Sequence, residues 1–236
     1  MMLGELIVYL TAGHPNKEEF LKFADEISGT VDAIEIGIRP RIAKYDGPVI
    51  RRSYLAATGY ARKDLIAMVS GLSSYLVALT YLDDLIDDEL RLMKSSGYSA
   101  VLIPDLIIDY PERLADTAQL VNRNGLKNAL FVTPFTPDSY IDAASRLADA
   151  FLYLGIRPST GVPTPVDVGK IVKRIRERHR GKLVVGFGLS ESEIKVALSS
   201  GADGIAVGSS IVSALEKDRE KALELVKRLR EVVDSV

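Results

Sequence analysis

The chain has 236 residues, 47% of them hydrophobic and 26% charged, with 30 basic and 32 acidic side chains and no cysteine. A chain of this length buries about 70% or more of its unfolded surface, so it builds a core without staples, and disulfides, thiolate metal sites and catalytic thiols are excluded. A net charge of −2 leaves no footprint for nucleic acid, no apolar run approaches the roughly 18 residues of a membrane-spanning helix, and two distant histidines argue against a metal site.

Met1 to Glu5 run directly into a strand pattern without a basic start or a cleavage site, which reads as a mature cytoplasmic N-terminus. Eight short runs rich in Val, Ile, Leu and Tyr follow: Leu6–Leu10, Ala33–Ile38, Tyr75–Leu79, Ala100–Ile103, Leu130–Thr133, Phe151–Leu154, Leu183–Phe187 and Gly204–Val207. Amphipathic stretches lie between them. Phe20, Phe23, Ala24 and Ile27 form one apolar stripe, Leu114, Ala118 and Val121 a second, and Leu223, Val226, Leu229 and Val233 a third. Strand–helix alternation repeated eight times predicts a parallel eight-stranded (β/α)8 barrel, an α/β fold with its active site at the C-terminal ends of the strands. The first turn, Thr11 to Pro15, lacks the glycine fingerprint expected of a doubly wound open sheet. No linker or low-complexity tract divides the chain, which predicts a single TIM-barrel domain over residues 1–236.

Strand parity points to a site. In the second strand Ile34, Ile36 and Ile38 share one face, and Ala33, Glu35 and Gly37 share the other. With the isoleucines facing the helices, Glu35 points into the barrel. An inward carboxylate is costly unless it is paired or functional, and Arg39 and Lys44 are candidate ion-pair partners. Late in strands seven and eight the inward face is bare, at Gly186, Gly188 and Gly208, followed by Ser209. Barrels of this kind often bind phosphate in the loops after these strands, where glycine lets backbone N–H groups approach oxygen anions. The turn Ser159-Thr160-Gly161 after strand six closes the same cup. His14 and His179 read as solvated, on a loop and at a helix end.

These segments resemble the tryptophan synthase α subunit, particularly its short archaeal form. The resemblance is carried by Tyr9-Leu10-Thr11-Ala12-Gly13-His14-Pro15, Glu35-Ile36-Gly37-Ile38, Asp46-Gly47-Pro48, Gly186-Phe187-Gly188 and Gly208-Ser209, in family order along nearly the whole chain. It implies retro-aldol cleavage of indole-3-glycerol phosphate to indole and D-glyceraldehyde 3-phosphate. Glu35 matches the family's acid/base, with a pKa that an apolar interior should raise. Asp46, eleven positions on, matches the partner of the indole N–H, expected to stay ionised. Tyr153 matches a tyrosine beside the reacting centre, and Tyr9, Leu79 and Tyr81 the walls of the indole pocket. Thr160 matches a loop threonine that meets the aspartate. Gly161, Gly188, Gly208 and Ser209 match the phosphate site. The resemblance further implies a β-subunit partner carrying pyridoxal phosphate, a heterotetramer with that partner, and no cofactor in this chain. Between the two acids the sequence departs from the family pattern and reads Arg39-Pro40-Arg41-Ile42-Ala43-Lys44-Tyr45, a more basic loop.

Two other functions use the same cup. A different phosphate-barrel reaction, such as sugar-phosphate isomerisation or prenyl transfer, would not require Glu35 and Asp46 together. A non-catalytic subunit would bind a phosphate ligand and only activate a partner.

Overall fold

Side-chain alternation along eight strands sorts the apolar residues into two cores, and this sorting positions the site. The computed structural model describes residues 4–161 and 165–236, so the chain start at Met1–Leu3 lies outside the described residues. The strands are β1 (Glu5–Thr11), β2 (Ala33–Gly37), β3 (Leu76–Leu79), β4 (Tyr98–Leu102), β5 (Lys127–Val132), β6 (Phe151–Gly155), β7 (Leu183–Gly186) and β8 (Gly204–Val207). They pair in parallel in chain order, and β8 closes onto β1. The helices are α1 (Lys17–Ile27), α2 (Pro48–Ser53), α3 (Arg62–Ala67), α4 (Asp87–Ser95), α5 (Asp105–Asp109), α6 (Leu114–Arg123), α7 (Asp138–Leu147), α8 (Val168–Arg178), α9 (Glu191–Ser199), α10 (Ser209–Leu215) and α11 (Arg219–Asp234). This is the closed α/β barrel that the alternation predicts.

One core lies between strands and helices. It holds Leu6, Val8 and Leu10 of β1 and Ile34 and Ile36 of β2, packed on Phe20, Phe23, Ala24 and Ile27 of α1 and on Val226, Leu229 and Val233 of α11. The second fills the barrel, with Ile7, Tyr9, Ala33, Val77, Leu79, Phe131, Tyr153 and Val184. The register sets Tyr9 beside Glu35 and Glu35 beside Val77, so the carboxylate belongs to this inner layer.

Several segments differ from their sequence reading. β5 begins at Lys127, three residues earlier than its apolar run. The polar Lys127-Asn128 start hides the strand, yet Asn128 is buried and its amide donates to the Ala118 carbonyl (3.1 Å). Neither histidine is solvated. His14 is only 5% exposed, because the turn after β1 tucks against α2 and α10 beside Ser53 and Val212, and burial lowers its pKa. His179 is 1% exposed: the chain folds back after α8, placing Nδ1 2.8 Å from the Ser145 hydroxyl and Nε2 3.0 Å from the Lys182 carbonyl.

Candidate active site

A cavity opens at the C-terminal ends of the strands, where barrels of this kind place their active sites. Glu35 and Asp46 both line it, together with Tyr9, Leu79, Tyr81, Tyr153, Thr160, Gly188, Gly208 and Ser209. Gly161 lies at the rim: a Cβ there would stand 3.1 Å from the Ser209 hydroxyl, and one on Gly188 would stand 3.7 Å from the Gly161 nitrogen. The turns after β6, β7 and β8 thus converge, and the residues singled out from the sequence come together at one mouth.

The two carboxylates meet different surroundings. Glu35 is buried on a rigid strand, and its Oε2 has no hydrogen-bond partner. Burial first, and then repulsion from Asp46, pushes its pKa up to about 8. The ion pair considered for it does not form, since Lys44 instead contacts Asp83, Asp105 and Asp109. Asp46 sits on the segment between β2 and α2. Burial raises its pKa to about 6, and hydrogen bonds donated by Tyr81 (2.9 Å) and Tyr54 (3.3 Å) to Oδ2 restrain the rise. Near neutral pH this gives a protonated Glu35 facing an ionised Asp46.

Glycines shape the walls. A Cβ on Gly186 would lie 2.0 Å from the Tyr153 hydroxyl, and one on Gly37 1.9 Å from the Tyr9 hydroxyl. The bare inner face at Gly186 therefore accommodates a phenol rather than an anion, which corrects part of the reading of the late-strand glycines. Tyr153 packs with Phe131 (centroids 5.5 Å apart) and edge-on to Phe187 (6.0 Å), and Tyr153 and Phe187 give the cavity an aromatic wall. Gly47 permits a close approach of another kind. Its Cβ would collide with the Thr160 carbonyl oxygen at 1.7 Å, and its N–H donates to Thr160 Oγ1 (2.8 Å). Thr160 thus bonds to the residue after Asp46, not to the carboxylate the resemblance implied.

Sequence reasoning missed several residues. Tyr54 also approaches Tyr9 (OH–OH 3.2 Å), and Tyr9 continues to Thr11 (3.2 Å) and Ser53 (2.6 Å from Thr11) in a chain of hydroxyls. Tyr54 lies beyond a short helix, where no strand parity reports its direction. Arg157 spans from the β6 turn to the carbonyls of Phe187 (3.2 Å) and Gly188 (2.8 Å) and to Glu193 (2.6 Å), fastening one side of the cup. The only cue to it was its place beside the Ser159–Gly161 turn. Phe187 adopts φ 75° between Gly186 and Gly188, a conformation costly for a non-glycine residue.

Two buried acids and three converging turns stand at the mouth of a closed barrel, the place where (β/α)8-barrel enzymes hold their active sites. A family model described as tryptophan synthase alpha chain matches residues 3–236. Tryptophan synthase alpha chains of Saccharolobus solfataricus and Sulfurisphaera tokodaii are 42% and 40% identical, covering 99% and 97% of this chain and the same shares of their own. The solved structure of a mutant tryptophan synthase α-subunit from Pyrococcus furiosus superimposes with a TM-score of 0.85 at 28% identity, covering all of both chains. The chain belongs to the tryptophan synthase alpha chain family. It is accordingly a carbon–carbon lyase that cleaves indole-3-glycerol phosphate to indole and D-glyceraldehyde 3-phosphate in tryptophan biosynthesis.

Proposed function

We propose that Glu35 and Asp46 carry this cleavage. The observation that supports them most is their joint burial in one cavity with separated ionisation, Glu35 near 8 and Asp46 near 6. Indole is a poor leaving group as a carbanion. Glu35, protonated at neutral pH, delivers its proton to C3 of the ring, giving an indolenine-like cation. Asp46 accepts the ring N–H and stabilises the positive charge that develops there. The C–C bond then breaks toward the ring as the glycerol hydroxyl returns a proton to the Glu35 carboxylate. One proton enters at C3 and one leaves the hydroxyl, so the enzyme is regenerated.

Tyr9, Leu79, Tyr81 and Tyr153 supply the walls for the aromatic ring. Gly161, Gly188, Gly208 and Ser209 hold the phosphate, aided by the N–H groups that open α10. The Thr160–Gly47 contact closes the mouth against water.

A β subunit carrying pyridoxal phosphate takes the indole in this reading, within a heterotetramer, and this chain contributes no cofactor of its own. The segment after β2 and the turn after α2 offer that partner one groove, in which Ile42 and Leu55 are 68% and 67% exposed among Arg39, Arg41 and Arg51. Among the described residues no helix is long and apolar enough to cross a membrane, in keeping with the proposed cytoplasmic site of biosynthesis.

The test is indole release from indole-3-glycerol phosphate, with and without a β subunit. Release that disappears in Glu35→Gln supports the assignment, and full turnover in that variant overturns it. Binding of the substrate without release, even with the partner, would favour a non-catalytic subunit.

A further inference from the structure

The segment joining β2 to α2 carries Asp46, and charged side chains anchor it to the neighbouring strand ends. Lys44, two residues before Asp46, directs its ammonium at three carboxylates: Asp105 Oδ2 (2.8 Å), Asp83 Oδ2 (3.0 Å) and Asp109 Oδ2 (3.0 Å). It also lies 4.8 Å from the centroid of the Tyr110 ring. Asp105 is fully buried at the start of α5, and its other oxygen accepts the Leu82 N–H (2.9 Å). Removing the ammonium would therefore strand a buried charge. Arg41 also ties the segment to the rim of β3: its side chain, 75% exposed, pairs with the buried Asp84 (2.6 Å), its backbone N–H donates to Asp84 Oδ2 (3.1 Å), and its guanidinium donates to the Asp83 carbonyl. Lys44 is the more shielded of the two cations, 19% exposed, and bears on three carboxylates.

The anchorage continues to the catalytic group. Tyr45 donates its hydroxyl to Asp109 (2.6 Å) and its backbone N–H to the Tyr81 hydroxyl (3.0 Å). The Tyr81 hydroxyl in turn donates to Asp46 (2.9 Å). Lys44 itself does not line the cavity, so it acts on the reaction only through its neighbours.

We propose that Lys44 is a positioning residue: gripped by Asp83, Asp105 and Asp109, it clips the segment after β2 to the rims of β3 and β4 and so holds Asp46 at the cavity before substrate arrives. The catalytic consequence rests on the assignment of Asp46 above; the clip itself does not. Without the clip the segment samples positions in which Asp46 is away from the ring N–H. Substrate then binds only the ordered fraction, which raises the apparent KM. Saturating substrate draws the segment back, so kcat falls much less.

The experiment compares the full chain with Lys44→Met and with the double variant Lys44→Met/Asp105→Asn. The double variant removes the stranded charge, so it keeps the test available if the single variant folds poorly. Two readouts are taken: steady-state indole release, and hydrogen–deuterium exchange of the Tyr45 and Gly47 amides, which bond to Tyr81 and Thr160 across the mouth. The clip predicts exchange at these amides faster by about tenfold or more while β1 and β5 amides are unchanged, and a KM raised about fivefold or more with kcat within about twofold. Unchanged exchange and unchanged KM in both variants would overturn it. So would acceleration spread evenly over the barrel with a matching loss of kcat, which marks a general structural role. If the unaltered chain releases no indole, the functional assignment fails, and the exchange measurement still decides the clip.

Discussion

β2 and the segment that follows it present the two acids in opposite ways. Glu35 projects from a strand whose register with β1 and β3 fixes its direction, and its buried Oε2 has no hydrogen-bond partner. Asp46 projects from irregular chain whose position depends on side chains from elsewhere: Tyr54 and Tyr81 on the carboxylate, Thr160 on the next amide, and the carboxylates around Lys44. In the proposed cleavage the same chemical group serves as proton donor where hydrogen bonds are withheld and as charge stabiliser where they are supplied.

The largest effects should come from removing either carboxylate. Glu35→Gln and Asp46→Asn should each lower the turnover of indole release by about 10²-fold or more. Equal losses in both, with substrate still bound, would support the division of labour, whereas a small loss in one would assign both steps to the other.

Stability should report the same contrast. Burial raises the folded-state pKa of Glu35 from 4.5 to about 8, so its contribution to stability is fully present below about 4.5 and is lost as pH rises to about 8. Glu35→Gln escapes this loss. Chemical denaturation should show the variant gaining on the unaltered protein by about 1.4 kcal/mol per pH unit at most across that window, and no further above it. A difference independent of pH would mean that Glu35 is not held protonated.

Smaller changes sharpen the Asp46 side. Gly47→Ala places a Cβ against the Thr160 carbonyl oxygen. It should push the β6 turn off the mouth and raise KM by about tenfold, since aligned closure is sensitive to displacements of about 1 Å. Tyr54→Phe removes one hydrogen bond that lowers the Asp46 pKa. The acid limb of kcat/KM should then move to higher pH, with a loss of about fivefold near pH 6, the scale of one hydrogen bond to a charged group.

This contrast also explains how much was legible in the sequence. Parity works where a strand imposes a two-residue period, so the inward face of Glu35, the outward isoleucines and the eight-stranded closure could all be read from the residues. The loop between the acids has no such period. Its lysine reads equally well as a partner for Glu35, and only the fold brings Asp83, Asp105 and Asp109 to it. Tyr54 and Arg157 escaped notice because they act across chain separations that no local pattern records. The histidines misled for a related reason: His14 and His179 stand among polar neighbours in sequence, and burial comes from helices packed over them. Gly186 shows the limit of reading glycine as a place for an anion, because a bare position can equally make room for a phenol, here Tyr153 of the preceding strand β6.

The pH profile of kcat/KM for indole release tests the pairing of the two acids most directly. A protonated Glu35 beside an ionised Asp46 predicts activity that rises through about pH 6 and falls through about pH 8, with the basic limb absent from the residual activity of Glu35→Gln. A flat profile across this range, or a basic limb that persists in that variant, would contradict it.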